Sequence, residues 1–218
     1  MHRLEGENFP DERISVIFPD AGATVLPGIG PFIAAGPIIA TLSAASEAVS
    51  QGIGGRLIRT HGDYHLGQIL RTPAGLSSAK SKNGDFVILD FEGEPARALA
   101  ERRLKQSPLK DVAGMARSFS YAAQAGLERA TSTAVRSASE DTARLTTWAR
   151  CWEHSVVSTF LRSYNEHMAT RRELLPPQEQ SQILLRAYML EKALYEVMYE
   201  LNNRPRWVSI PLAGILAL

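Results

Sequence analysis

The sequence contains a single cysteine, Cys151, among its 218 residues. One cysteine excludes an intrachain disulfide framework and is typical of a protein from a reducing compartment. A lone thiol of this kind usually serves as a small buried apolar side chain, and we expect that role for Cys151.

An excess of one charge sign is also lacking. The chain has 24 Lys and Arg residues against 23 Asp and Glu residues, which gives a formal net charge of +1. No basic stripe with interleaved aromatic residues occurs. We therefore expect no nucleic-acid partner.

A secretory signal is lacking too, since residues 1–13 are polar and acidic before any apolar run begins. We expect a cytoplasmic protein. The uncharged segment 21–45 contains three prolines, which make it a poor membrane-spanning helix, so we expect no membrane partner. A membrane or assembly element in this segment stays open as an alternative to a loosely packed appendage.

Residues 1–54 form a Gly/Pro/Ala-rich N-terminal segment that is not kinase-like. ISVIFPD predicts a short strand, and the following PGIGPFIAAGPIIATLS predicts a loop that leads into a helix of small residues. These two strings, within residues 14–45, resemble a glycine-zipper type of bacterial general stress protein.

Residues 56–94 predict three strands, RLIRT, QILRT and DFVILD, with an Asn83-Gly84 turn before the last. Three helices should follow. One begins after Ser107-Pro108, with Leu109, Val112, Ala116, Phe119 and Ala123 on its apolar face. The second covers about 141–174, with Leu145, Trp148, Trp152, Val156 and Thr159 as its core stripe. The third covers about 178–202, with Ile183, Ala187, Leu190, Leu194, Val197 and Leu201 facing the core.

The string HGDYHLGQ supplies Asp63 and, five positions later, Gln68, while DFEGEP supplies Asp90 at the end of an apolar strand. Phosphoryl transfer needs a carboxylate that orients or deprotonates the acceptor hydroxyl, and oxygen ligands that hold Mg²⁺ against the phosphates. The kinase pattern H-R-D-x-x-x-x-N followed by D-F-G has the same order and the same five-residue step. The predicted hairpin would bring Gln68 and Asp90 towards one metal ion.

Residues 55–218 resemble maltokinase sequences. The resemblance is carried by three strings: HGDYHLGQ, VILDFEGEPARALAERRLKQSPLKDVAGMARSFSYAA and LEKALYEVMYELNNRPRWVSIPLAGIL. The resemblance implies an α+β, mainly α fold: the C-terminal lobe of the aminoglycoside-phosphotransferase-like branch of protein kinases, with a small β-hairpin. The matching motifs imply that Asp63 is the catalytic residue, that Gln68 and Asp90 bind Mg²⁺, and that Asp111 supports the catalytic loop. Helix capping is the alternative role for Asp111, and we expect His61 to support the loop backbone through hydrogen bonds.

Maltokinases transfer phosphate from ATP to maltose, and the resemblance implies maltose 1-phosphate as the product, a link to glycogen-type glucan synthesis, and trehalose synthase as a possible partner. For maltose contact we propose Glu94, Tyr195, Asn203, Arg204 and Trp207, because disaccharide sites combine carboxylates, amides and Arg with an aromatic platform. A plain helix terminus also explains much of NNRPRW.

The sequence departs from a complete kinase because it shows neither a phosphate-covering glycine loop nor the lysine of an N-terminal lobe, and residues 28–36 do not form a P-loop. We therefore expect the N-lobe to be missing and the activity of this chain to be weak or absent. Three readings stay open: a rearranged gene product, a lobe that works with another chain supplying the N-lobe, and a non-catalytic sugar-binding or interaction module.

Overall fold

A computed structural model describes residues 55–73, 84–133 and 139–218 of the chain. The expectations for residues 1–54, and the Asn83 position of the predicted turn, lie outside the described residues. The elements are, in order, β1 (Ile69–Thr72), β2 (Asp85–Ile88), α1 (Leu99–Arg102), α2 (Leu109–Thr133), α3 (Ser139–Met168), α4 (Gln178–Asn203) and α5 (Ser209–Leu216). Mostly helical architecture with one small hairpin confirms the expected α+β, mainly α class.

The hairpin pairs β1 and β2 as antiparallel strands, with Ile69 opposite Ile88 and Thr72 opposite Asp85. The strings QILRT and DFVILD are thus confirmed as strands. The RLIRT segment is not a third strand, because Ile58 forms only an isolated antiparallel bridge with Gln106. That bridge consists of two reciprocal backbone hydrogen bonds of 2.9 Å, and no further pairing extends it among the described residues.

Helix α2 lies at the centre of the helical layer and packs against α3, α4 and α5. It begins as predicted, with the Ser107 hydroxyl accepting a hydrogen bond from the Leu109 backbone N–H (3.3 Å). Burial of its apolar face confirms the predicted stripe, except that Phe119 is half-buried. The buried apolar side chains of α2 are Leu109, Val112, Ala113, Met115, Ala116 and Ala123.

Helix α3 differs from its prediction in length and in burial. It ends at Met168 rather than at about residue 174, because the chain turns there and the Leu174 carbonyl accepts a hydrogen bond from the Arg56 backbone N–H (3.2 Å). The predicted core stripe is wrong at Trp148 and Trp152, which are 68% and 46% exposed, and at Thr159, which is also exposed. Cys151 between them is exposed rather than buried. Helix α3 packs against α2 through one face. The Trp152 ring makes an edge-to-face contact with Phe119 of α2, with ring centres 6.5 Å apart, and still keeps much of its surface exposed.

Helix α4 has the predicted bounds to within one residue, and its buried residues Leu190, Ala193 and Val197 form a core cluster with Ile215 of α5. Leu201, predicted to face the core, is 47% exposed because it lies beyond this contact on the last turn of α4. Within the three described ranges, no helix combines the length and the apolar character that crossing a bilayer requires.

Candidate active site

The loop that carries Asp63 is held by the first turn of α2. The two carboxylate oxygens of Asp111 accept hydrogen bonds from the backbone N–H groups of His61 (2.7 Å) and Gly62 (2.9 Å). Hydrogen bonds to an ionised acceptor are stronger than neutral ones. The structure therefore places Asp111 where it fixes the backbone immediately before Asp63.

A second support comes from the His61 ring, which is 6% exposed. The backbone N–H of Asp63 donates to His61 Nδ1 (3.4 Å), so Nε2 carries the proton and donates to the Leu89 carbonyl (2.6 Å). Leu89 directly precedes Asp90. His61 thus links the loop that carries Asp63 to the end of the hairpin.

Two glycines allow the loop to lie this close to its neighbours. Gly62 has a φ of +86°, and a Cβ atom there would lie 3.1 Å from the Gly93 Cα atom. A Cβ on Gly114 of α2 would lie 2.8 Å from the Tyr64 carbonyl oxygen, which is closer than packed atoms tolerate. A larger residue at either position would displace the loop.

The Asp63 side chain is 17% exposed and faces two basic groups. Its Oδ1 atom lies 3.7 Å from Lys192 Nζ, and its Oδ2 atom lies 3.7 Å from His65 Nε2. His65 Nδ1 accepts the Gly67 backbone N–H (3.1 Å), so the ring turns its other nitrogen towards Asp63. The carboxylate therefore lies between two basic groups, neither of which is within hydrogen-bond distance, and part of it faces solvent.

The structure brings Gln68 and Asp90 into direct contact, with Gln68 Nε2 donating to Asp90 Oδ2 (2.9 Å). The Leu89 backbone N–H also donates to the Gln68 carbonyl (2.9 Å). Asp90 has a φ of +61° and is the one non-glycine residue with a left-handed backbone in the described part of the chain. Such strain is often kept at functional positions. Carboxylate and amide oxygens suit a hard cation, so this pair fits Mg²⁺.

A cleft of about 520 Å³ opens beside Asp63, between the loop that carries this residue, α2 and α4. Its volume is in the range of small-molecule sites. Of the proposed sugar-contact residues, the cleft includes Glu94, Tyr195, Arg204 and Trp207. Burial, and next the Glu94 carboxylate, raise the pKa of Tyr195 to about 12, so its hydroxyl stays protonated at neutral pH and serves as a donor.

One wall of the cleft is a stack of aromatic rings and a guanidinium group. The Arg204 guanidinium lies 4.6 Å from the Trp207 ring centre and 5.5 Å from that of Tyr199. Two hydrogen bonds, of 3.0 and 2.6 Å, join Arg204 to Glu200. Asn203 does not line this cleft; its amide donates to the Tyr199 carbonyl within α4 (2.8 Å) and it behaves as a helix-end residue.

Sequence reasoning missed three charged residues of this region, Lys192, Glu196 and Glu200, all on α4. Glu200 is fully buried and Glu196 is 7% exposed. Burial raises the pKa of Glu196, and the Arg117 guanidinium opposes that rise. The signal for both acids was their position on the apolar face of a predicted helix, where a buried charge requires a partner.

The chain is similar in sequence to two glucosamine kinases. The chain is 33% identical to the glucosamine kinase of Mycolicibacterium smegmatis over 161 residues. This aligned region covers 72% of this chain and 33% of that enzyme. It is 27% identical to the glucosamine kinase of Streptacidiphilus jiangxiensis over 175 residues. That aligned region covers 80% of this chain and 34% of the enzyme. Glucosamine kinases are homologues of this chain. They are sugar kinases, and the chain spans about a third of their length.

Solved glucosamine kinase structures share the fold of the described residues. A glucosamine kinase in complex with glucosamine, ADP and inorganic phosphate matches 83% of this chain and 46% of its own, with a TM-score of 0.58 and 22% identity. A glucosamine kinase in another crystal form covers 82% of this chain and 44% of its own length, with the same TM-score and identity. No family model matches the chain. The likeness supports a kinase-like lobe, while maltokinase in particular stays a prediction.

Proposed function

We propose that residues 55–218 form the catalytic and acceptor-binding part of an ATP-dependent sugar kinase. The observation that carries the proposal is the position of Asp63, whose carboxylate lies on a cleft lined by acids, aromatic rings and a guanidinium group. Homology to glucosamine kinases supports a sugar as acceptor and ATP as donor. Because the chain spans a third of those enzymes, turnover by this chain belongs to the proposal.

In the proposed reaction Asp63 accepts the proton of one sugar hydroxyl as that oxygen attacks the γ-phosphorus of ATP. The new oxygen–phosphorus bond forms while the bond from the γ-phosphorus to the bridging oxygen breaks, and ADP leaves. Asp111 and His61 hold the backbone on either side of Gly62, so that the carboxylate stays in place during transfer. Fixed geometry of this kind supplies much of the rate in phosphoryl transfer.

Gln68 and Asp90 are the residues that would hold Mg²⁺, since their side chains meet at the end of the hairpin. When bound, the ion neutralises charge on the phosphates. The left-handed backbone of Asp90 supports the same role, because strained conformations of this kind are kept mainly at functional positions.

We propose an amino sugar of the glucosamine type as the first acceptor to test. Glu196 pairs with Arg117 and Glu200 pairs with Arg204, whereas Asp63 and Glu94 share one lysine. Lys192 alone does not balance the negative charge of these two carboxylates, and His65, the second basic neighbour of Asp63, carries a charge only when it is protonated. A protonated amine would complement that negative charge.

Maltose is the second candidate acceptor. The aromatic wall formed by Tyr199, Arg204 and Trp207 adds a second contact region to a cleft of about 520 Å³. Sugar rings stack on aromatic faces, so this wall favours an acceptor longer than one ring. Phosphorylation of maltose to maltose 1-phosphate, with trehalose synthase or an N-lobe chain as partner, would follow from that alternative.

The experiment that tests the proposal follows phosphosugar formation by ³¹P NMR with the purified chain, MgATP and either glucosamine or maltose. Asp63→Asn is the control, because it keeps the shape of the side chain and removes the base. Loss of turnover in Asp63→Asn, with the fold retained by circular dichroism, would support the proposed role.

Calorimetry with the sugars alone separates the remaining outcomes. Sugar binding without turnover would assign the chain to the class of non-catalytic sugar-binding modules. A folded chain that neither binds these sugars nor phosphorylates them would refute the proposal.

A further inference from the structure

Lys192 lies on α4 with its ammonium group between two carboxylates of the cleft. Its Nζ atom is 3.7 Å from Asp63 Oδ1 and 3.8 Å from Glu94 Oε2, and it lies 5.1 Å from the centre of the Tyr195 ring. Its side chain is 28% exposed, against 17% for each carboxylate. The ammonium is therefore partly shielded from solvent, so its charge can act on a bound ligand, and it is exposed enough to contact that ligand directly.

The other two acids of the cleft have partners of their own. Glu196 Oε2 accepts from both Nε and Nη2 of Arg117, at 3.0 and 2.9 Å. Glu200 accepts two hydrogen bonds from Arg204. These short contacts fix both pairs, so neither acid is available to a ligand without breaking a strong interaction.

The contacts of Lys192 are of a different kind. Distances of 3.7 and 3.8 Å exceed those of a direct hydrogen bond, so the ammonium neutralises the two acids without being bonded to either. A ligand atom can approach Asp63 or Glu94 while Lys192 stays beside the other. Ion pairs in this geometry are governed by charge more than by direction.

We propose that Lys192 sets the charge selectivity of the acceptor cleft, a role that rests on the proposed sugar kinase function. Its ammonium limits the attraction of Asp63 and Glu94 for a protonated amine and offers a hydrogen-bond donor to the hydroxyl groups of neutral sugars. Removing it leaves two unmatched carboxylates next to each other. Cationic acceptors then gain affinity, and neutral acceptors lose a donor.

The test measures the dissociation constants of glucosamine and glucose by calorimetry, at a pH where the sugar amine is protonated. The variants are Lys192→Met, which removes the charge, and Lys192→Arg, which keeps it. Lys105→Met is the matched control, since it makes the same substitution at an exposed position outside the cleft. Circular dichroism confirms that each variant is folded.

In Lys192→Met we expect the preference for glucosamine over glucose to rise about tenfold, as one partly screened charge pair would give. Lys192→Arg and Lys105→Met should keep the ratio of the wild type. An unchanged ratio in Lys192→Met, with both sugars still bound, would overturn the role of Lys192 and leave the sugar kinase proposal standing. Absence of sugar binding in every folded variant would refute the proposed function itself, and the selectivity role with it.

Discussion

Asp111→Asn is the substitution that most directly tests how the catalytic loop is held. Asp111 accepts hydrogen bonds from the backbone N–H groups of His61 and Gly62 through separate carboxylate oxygens. An asparagine has one carbonyl oxygen, so it can satisfy one of these donors, and its amide group meets the other. The substitution therefore removes one charged acceptor and places two donors face to face.

The expected free-energy cost of Asp111→Asn follows from the two hydrogen bonds of the Asp111 carboxylate. A hydrogen bond to a charged group contributes about 1.5–3 kcal/mol, and leaving a buried donor without a partner costs about 1–3 kcal/mol. Since the loop opens locally, the same free energy appears as faster amide exchange at His61 and Gly62, by roughly 10- to 150-fold. The free energy of global unfolding should change less, because α2 keeps its apolar face buried.

The assay is residue-resolved hydrogen exchange by NMR, with global stability followed by urea unfolding. Asp141→Asn serves as the control, because Asp141 is an exposed acid in α3 that pairs with Arg144 (3.2 Å), away from the loop. Equal exchange rates at His61 and Gly62 in the wild type and in Asp111→Asn would refute the idea that this carboxylate braces the loop. Capping of α2 would then be its role.

Two further predictions concern burial. Arg117→Met should lower the free energy of unfolding by about 3–5 kcal/mol at neutral pH, because it leaves the Glu196 carboxylate buried and unpaired, and the double variant Arg117→Met/Glu196→Leu should recover much of that loss in urea unfolding. Burial raises the pKa of Glu196 and Arg117 opposes the rise, so the folded state of Arg117→Met keeps the Glu196 proton to a higher pH than the wild type does. The loss of unfolding free energy in Arg117→Met should therefore be small in acid and should grow as the pH rises towards the raised pKa of Glu196. An equal loss in acid and at neutral pH would contradict this reasoning. Cys151 is exposed and should react with a disulfide reagent in the native state, whereas a thiol that reacts only after denaturation would show that α3 is covered in solution.

The helices that the sequence predicted well are those packed on more than one side. The stripe of α2 is largely buried, because α2 lies against α3, α4 and α5. The stripe of α4 is buried at Leu190 and Val197 and half-buried at its other positions apart from Leu201. Helix α3 has an equally regular stripe, yet Trp148 and Trp152 remain exposed. Periodicity identifies which face of a helix is apolar, but the number of neighbours decides whether that face is covered.

The candidate site divides in a similar way. Gln68 and Asp90 belong to a known kinase pattern, so the contact between their side chains could be predicted. Lys192 and Arg117 could not, because each meets its partner through the packing of separate helices, with Arg117 and Glu196 lying 79 positions apart. Local sequence spacing contains no information about such contacts.

The two sides of the proposed site rest on unequal supports. Asp63 is fixed by Asp111 of α2, a helix whose apolar face is buried. Asp90 lies at the end of a two-stranded hairpin on which Leu70 and Phe86 are 54% and 67% exposed. A two-stranded hairpin is marginal by itself. Its contacts with the loop include the His61–Leu89 hydrogen bond, the hydrogen bond from the Gln68 backbone N–H to the His65 carbonyl (2.9 Å), and the His61 and Phe91 rings, whose centres are 4.9 Å apart. The proposed acceptor side is thus held by the helical core, whereas the proposed metal side depends on these few contacts of the loop, two of which involve His61.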